Sequence, residues 1–163
     1  MEHNLKIAQY YQVQCFDKDG NLKWDEGFEN LVVTVGRNQY LDATLKTGVS
    51  SPLWYIGLKG AGTVVAADTA ASHAGWAELT IYSQSTRPQW VSGTISSGSL
   101  ANSSAAVFSI TSSGTVAGAM MINNNTKGGT TGILLGAGDF GTSRAVVNGD
   151  TINITVTCSI TSA

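Results

Sequence analysis

The sequence predicts an all-β fold: a single-domain antiparallel β-sandwich or jelly-roll-like barrel of about eight or nine strands with one short helix. Three observations support this prediction. Apolar and polar residues alternate with period two in several segments, and the breaks between those segments are rich in Gly, Ser and Asn. The chain has 163 residues, which is the length of one domain, so the predicted domain is the whole of residues 1–163.

The end of the chain carries the clearest alternation. Its apolar residues are Ile152, Ile154, Val156, Cys158 and Ile160, and the residues between them are Thr, Asn or Ser. This pattern is typical of a strand with one buried and one solvated face.

The beginning of the chain predicts a second such strand and then a hairpin turn. The apolar face of the strand comprises Leu5, Ile7, Tyr11, Val13 and Cys15. A turn is expected at 17–21, where Gly20 allows the positive φ of a tight hairpin. Further strands are predicted at 54–58, 78–82, 89–96, 105–111, 115–122 and 132–136.

The remaining segments predict a helix, a loop and an arm. One helix is expected at 35–45, before a Lys-Thr-Gly stop. The Asn- and Gly-rich stretch 123–130 is predicted to be an exposed loop, and residues 1–4 an N-terminal arm. Asp68 is expected to cap a short turn by accepting from the amides two and three residues later.

Charge is sparse, because only 12% of residues are charged and the formal net charge is -2. A nucleic-acid partner is not expected, since such binding needs a basic surface. A membrane partner is not expected either, because no apolar run approaches the roughly 20 residues of a membrane span. The protein is expected to be made in a cytoplasm and to stay soluble.

The cysteines and histidines are too few and too scattered for a zinc site, so no metal and no cofactor are expected. Cys15 and Cys158 both fall on apolar strand faces, and they are predicted to be buried thiols. A disulfide that joins the terminal strands is the alternative.

No arrangement of residues indicates catalysis, and the chain is predicted not to be an enzyme. A G-x-S-x-G nucleophile elbow and a P-loop are absent from the sequence. Ser72 and His73 are adjacent, a spacing that rarely lets a base bond to a nucleophile. The Asp-x-Asp-Gly at 17–20 lacks the further ligands of a calcium loop.

The most distinctive segment runs from Trp76 to Trp90. On an extended strand Trp76, Glu78 and Tyr82 share one face, and a carboxylate between aromatic rings favours a cationic partner. We therefore expect an ion pair of Glu78 with Arg87, bracketed by Trp76, Tyr82 or Trp90. These five residues are interpreted as a clamp that holds a loop on the sheet, with a contact to a partner subunit as the alternative.

A succession of short motifs runs along the chain: Asn30-Leu31-Val32-Val33, Gly36, Leu41-Asp42, Trp54-Tyr55-Ile56-Gly57-Leu58, Gly75-Trp76-Ala77-Glu78, Tyr82, Arg87-Pro88 and Asn148-Gly149-Asp150-Thr151. This succession resembles small virion structural proteins of tailed bacteriophages. The resemblance runs from about residue 28 to residue 160 and implies a capsid decoration or cement protein. It also implies the major capsid protein as partner, self-association as a dimer or trimer, and a place on the capsid surface of the virion after synthesis in the bacterial host cytoplasm.

Three other functions are weighed against this one. The first is a protein of the tail or head–tail junction, or an adaptor that docks a fibre. The second is a carbohydrate- or receptor-binding module, in which an exposed Trp24 or Trp90 stacks on a sugar ring. The third is an enzyme that acts on polysaccharide, for which no pair of carboxylates stands out.

Overall fold

Two antiparallel sheets pack face to face in the computed structural model, which describes residues 4–162, and a single helix lies beside them. The strands are β1 Leu5–Phe16, β2 Leu22–Glu29, β3 Leu31–Val32, β4 Trp54–Lys59, β5 Glu78–Leu79, β6 Gln89–Trp90, β7 Ser99–Ala101, β8 Ala106–Ser109, β9 Gly114–Ile122, β10 Leu134–Val146 and β11 Thr151–Ser162, and the helix is α1 Thr34–Leu45. The predicted all-β sandwich with one short helix is confirmed. Residues 1–3 of the predicted arm lie outside the described residues, and Asn4 is exposed coil.

The first sheet is built on the pairing of the two terminal strands. β1 and β11 run antiparallel and stay in register along all 12 residues of each strand. β2 flanks β1, while β7 and β8 pair with different parts of β11 on its other side. Ile152, Ile154 and Val156 are fully buried, as the alternation predicts. Cys158 is only partly buried and Ile160 is exposed, so the predicted burial of this face is wrong at the end of the strand.

The predicted hairpin joins β1 to β2. Gly20 has a φ of +85°, which L-residues with a side chain rarely adopt. The Asp17 carboxylate accepts hydrogen bonds of 2.9 Å from the amides of Asp19 and Asn21. The carboxylate therefore organises the turn itself, as short acidic side chains often do.

The second sheet has the order β3–β10–β9–β4–β5, and β6 also pairs with β4. At one end of β4, Trp54 lies opposite Trp90 of β6. At the other end, Lys59 lies opposite Glu78 of β5. The Trp90 region and the Glu78 region are therefore attached to opposite ends of the same strand, β4.

The core between the sheets contains a run of aromatic rings. Tyr11 stacks on Phe28 with ring centroids 5.0 Å apart, and Phe28 meets Phe140 edge-on at 5.5 Å. Cys15 is fully buried beside this core, as predicted, whereas Cys158 is only partly buried. Burial raises the pKa of the Cys15 thiol to about 11.

The alternative of a disulfide between the cysteines is wrong, because both thiols are free. Cys158 lies opposite Gln9 in the β1–β11 register, whereas Cys15 lies opposite Ile152. The two cysteines are thus separated by the length of β1 from residue 9 to residue 15, which is about 20 Å at about 3.3 Å per residue. A disulfide needs Cα atoms about 4.4–6.8 Å apart.

Helix α1 begins one residue earlier than predicted and packs on β10 through a glycine. A Cβ atom on Gly36 would lie 2.0 Å from the carbonyl oxygen of Leu135, so only glycine permits this contact. Strand β10 extends to Val146, beyond the predicted end at residue 136. A Cβ on Gly118 of β9 would lie 1.9 Å from the Gly138 oxygen, so glycine permits the close approach of β9 to β10 at this point.

The strands predicted at 78–82 and 89–96 are each shorter than expected, because β5 and β6 each pair with β4 over only two residues. Tyr82 instead forms an isolated bridge with Ile110, next to β8 of the first sheet. Ser92 forms a similar bridge with Asn102, next to β7. The expectation that Trp76 and Tyr82 lie on one strand face with Glu78 is therefore wrong, since β5 includes only Glu78 and Leu79.

Candidate functional site

The predicted contact between Glu78 and Arg87 is present as a bidentate ion pair. The Arg87 Nε donates to Glu78 Oε1 at 2.8 Å, and Nη2 donates to Oε2 at 2.7 Å. The Arg87 and Glu78 side chains are 1% and 6% exposed. A planar guanidinium suits this two-point contact, whereas the single ammonium of lysine does not.

Both members of the pair also bind the loop 123–130. Arg87 donates to the carbonyl oxygens of Asn124 at 2.7 Å and Gly129 at 2.9 Å. The amide of Gly128 donates to Glu78 Oε2 at 2.8 Å. The loop lies at the surface, as predicted, but it is fastened to the sandwich by a buried ion pair. We call Glu78, Arg87 and this loop the clamp.

Lys127 adds a second fastening from the same loop. Its Nζ donates to the backbone oxygens of Tyr82 at 2.8 Å and Gln84 at 2.9 Å, and it lies 4.4 Å from the centroid of the Tyr82 ring. A cation over an aromatic face is attracted by the ring's quadrupole. Burial, and then the charge of Glu78, raise the pKa of the Tyr82 hydroxyl above its ordinary range.

Trp76 lies beside the clamp and is held by Asp68 and His73. Its Nε1 donates to Asp68 Oδ2 at 2.9 Å, and its ring stacks on His73 with centroids 4.2 Å apart. The same Asp68 oxygen accepts from the amide of Val65 at 3.0 Å. The expected cap on the amides after Asp68 is therefore wrong, because its carboxylate faces Trp76 and an earlier amide.

Lys59 is a buried cation that the sequence analysis did not identify. Its side chain is fully buried, and Nζ donates to Asp139 Oδ1 and to the Gly62 oxygen, both at 2.5 Å, and to the Gly60 oxygen at 3.1 Å. Nζ also lies 5.6 Å from the ring centroid of Trp76. Three oxygens satisfy the three donors of the ammonium.

Trp90 is not part of the clamp. It lies opposite Trp54 at the far end of β4, and its Nε1 donates to the Val156 oxygen at 3.0 Å. Its side chain is 7% exposed, so the expectation that Trp90 is an exposed ring is wrong. Trp24 is partly buried, and its Nε1 donates to the Ala145 oxygen at 3.4 Å.

The contacts of the clamp hold several segments of the chain together. The hydrogen bonds of Glu78 and Arg87 described above are all made to other groups of the chain, and the buried carboxylate of Glu78 faces the buried guanidinium of Arg87.

Within residues 4–162, no group of three or more His, Cys, Asp or Glu is arranged to hold a metal ion. Among the helices of the described chain, none is long and apolar enough to cross a membrane.

No protein-family model matches the sequence, and no curated protein matches it.

Proposed function

We propose that this chain is a non-enzymatic structural protein of a bacteriophage virion. In this proposal it decorates or cements the assembled capsid, with the major capsid protein as its partner, and it associates with itself as a dimer or trimer. The sequence motifs that resemble small virion proteins support the proposal, and so does the distribution of charged and apolar side chains over the fold.

The observation that carries the proposal is an apolar surface segment that runs from the second half of α1 to the residue before β4. Within residues 41–53, Leu41, Leu45, Val49 and Leu53 are 56%, 76%, 39% and 61% exposed. Isolated exposed leucines are ordinary, but four large apolar residues in one short segment are typical of a contact surface. We call residues 41–53 the apolar segment.

The charged residues reinforce this interpretation because several of them lie inside. Lys59, Asp68, Arg87 and Asp150 are all buried, and Glu78 is nearly so. Burial of these five removes a quarter of the 20 charged residues from the surface, which lowers the repulsion between copies that crowd on a shell. Attachment at many equivalent sites needs only modest affinity at each one when copies are joined in an oligomer.

Two properties of purified particles test the proposal. We expect the chain to co-purify with mature particles in hundreds of copies, as repeated attachment to a symmetric shell requires. A count of about a dozen or fewer would instead indicate the tail or head–tail junction. We also expect shells stripped of the protein to rupture at a lower temperature than shells to which it has been restored, and equal temperatures would remove the cement role.

A pair of variants tests the apolar segment directly. Leu45→Asp with Leu53→Asp places two charges on it, and we expect binding to stripped shells to weaken by about tenfold or more. Val107→Asp is the matched control, because Val107 is 43% exposed but lies on β8. Equal binding of the two variants would contradict this contact surface. Light scattering of the free protein separates a dimer or trimer from a monomer.

A further inference from the structure

A cavity of about 550 Å³ opens between the second half of α1 and the start of β4, at Trp54. Tyr40, Trp54 and Trp90 supply aromatic walls from α1, β4 and β6. Met121 and Leu135, from β9 and β10, are among the buried residues that line it. Sites for small molecules commonly have volumes of about 300–1,000 Å³ and mainly apolar linings.

Two small side chains near the end of α1 leave room for the cavity, which Gln39 and Tyr40 of the same helix also line. Gly36 at the beginning of α1 lies against the backbone of β10, whereas Ala43 and Thr44 near its end line the cavity. The larger Leu41 and Leu45 are exposed to solvent. A helix selected only to complete the core would place these leucines inward, as in an ordinary amphipathic helix.

The lining also lacks charge, since none of the described residues around the cavity is Asp, Glu, Lys, Arg or His. Its polar groups are hydroxyls, such as those of Ser51 and Ser92, and the amides of Gln39 and Gln89. Cys158 also lines it, and burial raises the pKa of this thiol, so it stays neutral at physiological pH. A charged ligand would lose its hydration without gaining an opposite charge, whereas an uncharged one would not.

We propose that this cavity binds one small uncharged aromatic molecule, of the size of two or three rings. The rings would pack against Tyr40, Trp54 and Trp90, because offset and edge-on contacts between aromatic groups are favourable. The site lies at the opposite end of β4 from the clamp. The proposal does not depend on attachment to a virion.

A matched pair of fluorescent probes tests the chemistry of the site. N-phenyl-1-naphthylamine is uncharged, and 1-anilinonaphthalene-8-sulfonate carries the same ring system with a sulfonate. We expect the uncharged probe to bind at one equivalent with a dissociation constant below about 0.2 mM. We expect the sulfonate to bind at least about tenfold more weakly, because its charge has no partner in the lining.

Two tryptophan variants on α1 locate the binding. Thr44→Trp places a large ring at the cavity from an exposed position, so the fold should tolerate it, and we expect affinity for the uncharged probe to fall at least about tenfold. Asn38→Trp is the control, because Asn38 is exposed on the same helix but does not line the cavity. We expect it to bind the probe as the unmodified protein does.

A third experiment measures the protection of a cysteine in the protein without any substitution. Because Cys158 lines the cavity, bound N-phenyl-1-naphthylamine should slow its alkylation by N-ethylmaleimide, measured by mass spectrometry. The proposal is overturned if the uncharged probe does not saturate at one equivalent, if both probes bind equally, or if Thr44→Trp binds as tightly as Asn38→Trp. Unchanged alkylation at saturating probe would also overturn it.

Discussion

The two ends of β4 use opposite chemistry. At the Lys59 end, the clamp and its neighbours bury cations and carboxylates in direct contact with one another. At the Trp54 end, the cavity is lined by aromatic and aliphatic side chains and holds no charge among its described lining residues. A strand of six residues separates these environments.

The difference follows from what each end must hold. The clamp joins β5, the segment before β6 and the loop 123–130, none of which has a long ladder of backbone hydrogen bonds. Side-chain charges with several donors can fasten such segments by binding their carbonyl oxygens. At the cavity, the close contact of Gly36 with Leu135 holds the beginning of α1 against β10. The space beside the second half of α1 is open. Charge therefore joins segments at one end of β4, whereas the other end has an open cavity with an uncharged lining.

The largest expected effect comes from removing one charge of the clamp. Arg87→Met leaves Glu78 buried without its partner, and we expect a loss of about 3–5 kcal/mol in the free energy of unfolding. Urea denaturation measures this loss.

The double variant Glu78→Gln with Arg87→Met serves as the control for that experiment. It removes both charges, so it should be less destabilised than the sum of the two single variants. A loss below about 1 kcal/mol in Arg87→Met would show that the pair is not a structural joint.

A smaller effect is expected at the cavity end, from Gly36→Ala. The added Cβ would lie 2.0 Å from the Leu135 oxygen, so α1 must move away from β10, at a cost of about 1–3 kcal/mol. Gly141→Ala is the control, since its Cβ would meet no atom within 4 Å. Equal stability of the two variants, by thermal denaturation, would contradict the close packing of α1.

The buried thiol of Cys15, which lies outside the clamp, makes stability depend on alkaline pH. With a folded-state pKa of about 11 for Cys15 and about 9 when unfolded, the unfolded chain loses this proton first, so stability falls as pH rises from 9 to 11. The loss due to Cys15 is about 1 kcal/mol at pH 10, relative to neutral pH. Cys15→Ala should show a shallower decrease between pH 8 and pH 10. Parallel curves would contradict the predicted contribution of this thiol.

The smallest effect is expected for an ion pair at the surface. Lys6 and Glu29 lie 3.1 Å apart, but their side chains are 55% and 60% exposed. Lys6→Ala should change the free energy of unfolding by less than about 1 kcal/mol, because water and salt screen the pair. A loss as large as that of Arg87→Met would remove the distinction between buried and exposed charge.

Sequence reasoning identified the terminal strands, the hairpin at Gly20 and the contact of Glu78 with Arg87. Each of these depends on local alternation, a turn residue or a pair of charges close in the chain. Lys59 was missed because its partner Asp139 is 80 residues away. A lysine that ends the apolar run of β4 was the available signal, since a buried ammonium requires an acceptor.

Trp90 was assigned to the wrong region for a related reason. Position in the chain places it near Arg87, but pairing with Trp54 carries it to the other end of β4. The attachment of loop 123–130 was also out of reach, because Arg87 binds backbone carbonyl oxygens there, which have no residue-specific signal.

The pairing of β1 with β11 has a consequence for biosynthesis. Of the eleven described strands, β1 leaves the ribosome before the others and β11 after them, yet each is the longest neighbour of the other. The first sheet therefore cannot form until nearly all of these strands have been translated, and contacts between distant parts of a chain slow folding. Until then β1 exposes an unpaired edge, so nascent chains are expected to depend on chaperones or on rapid completion to avoid aggregation.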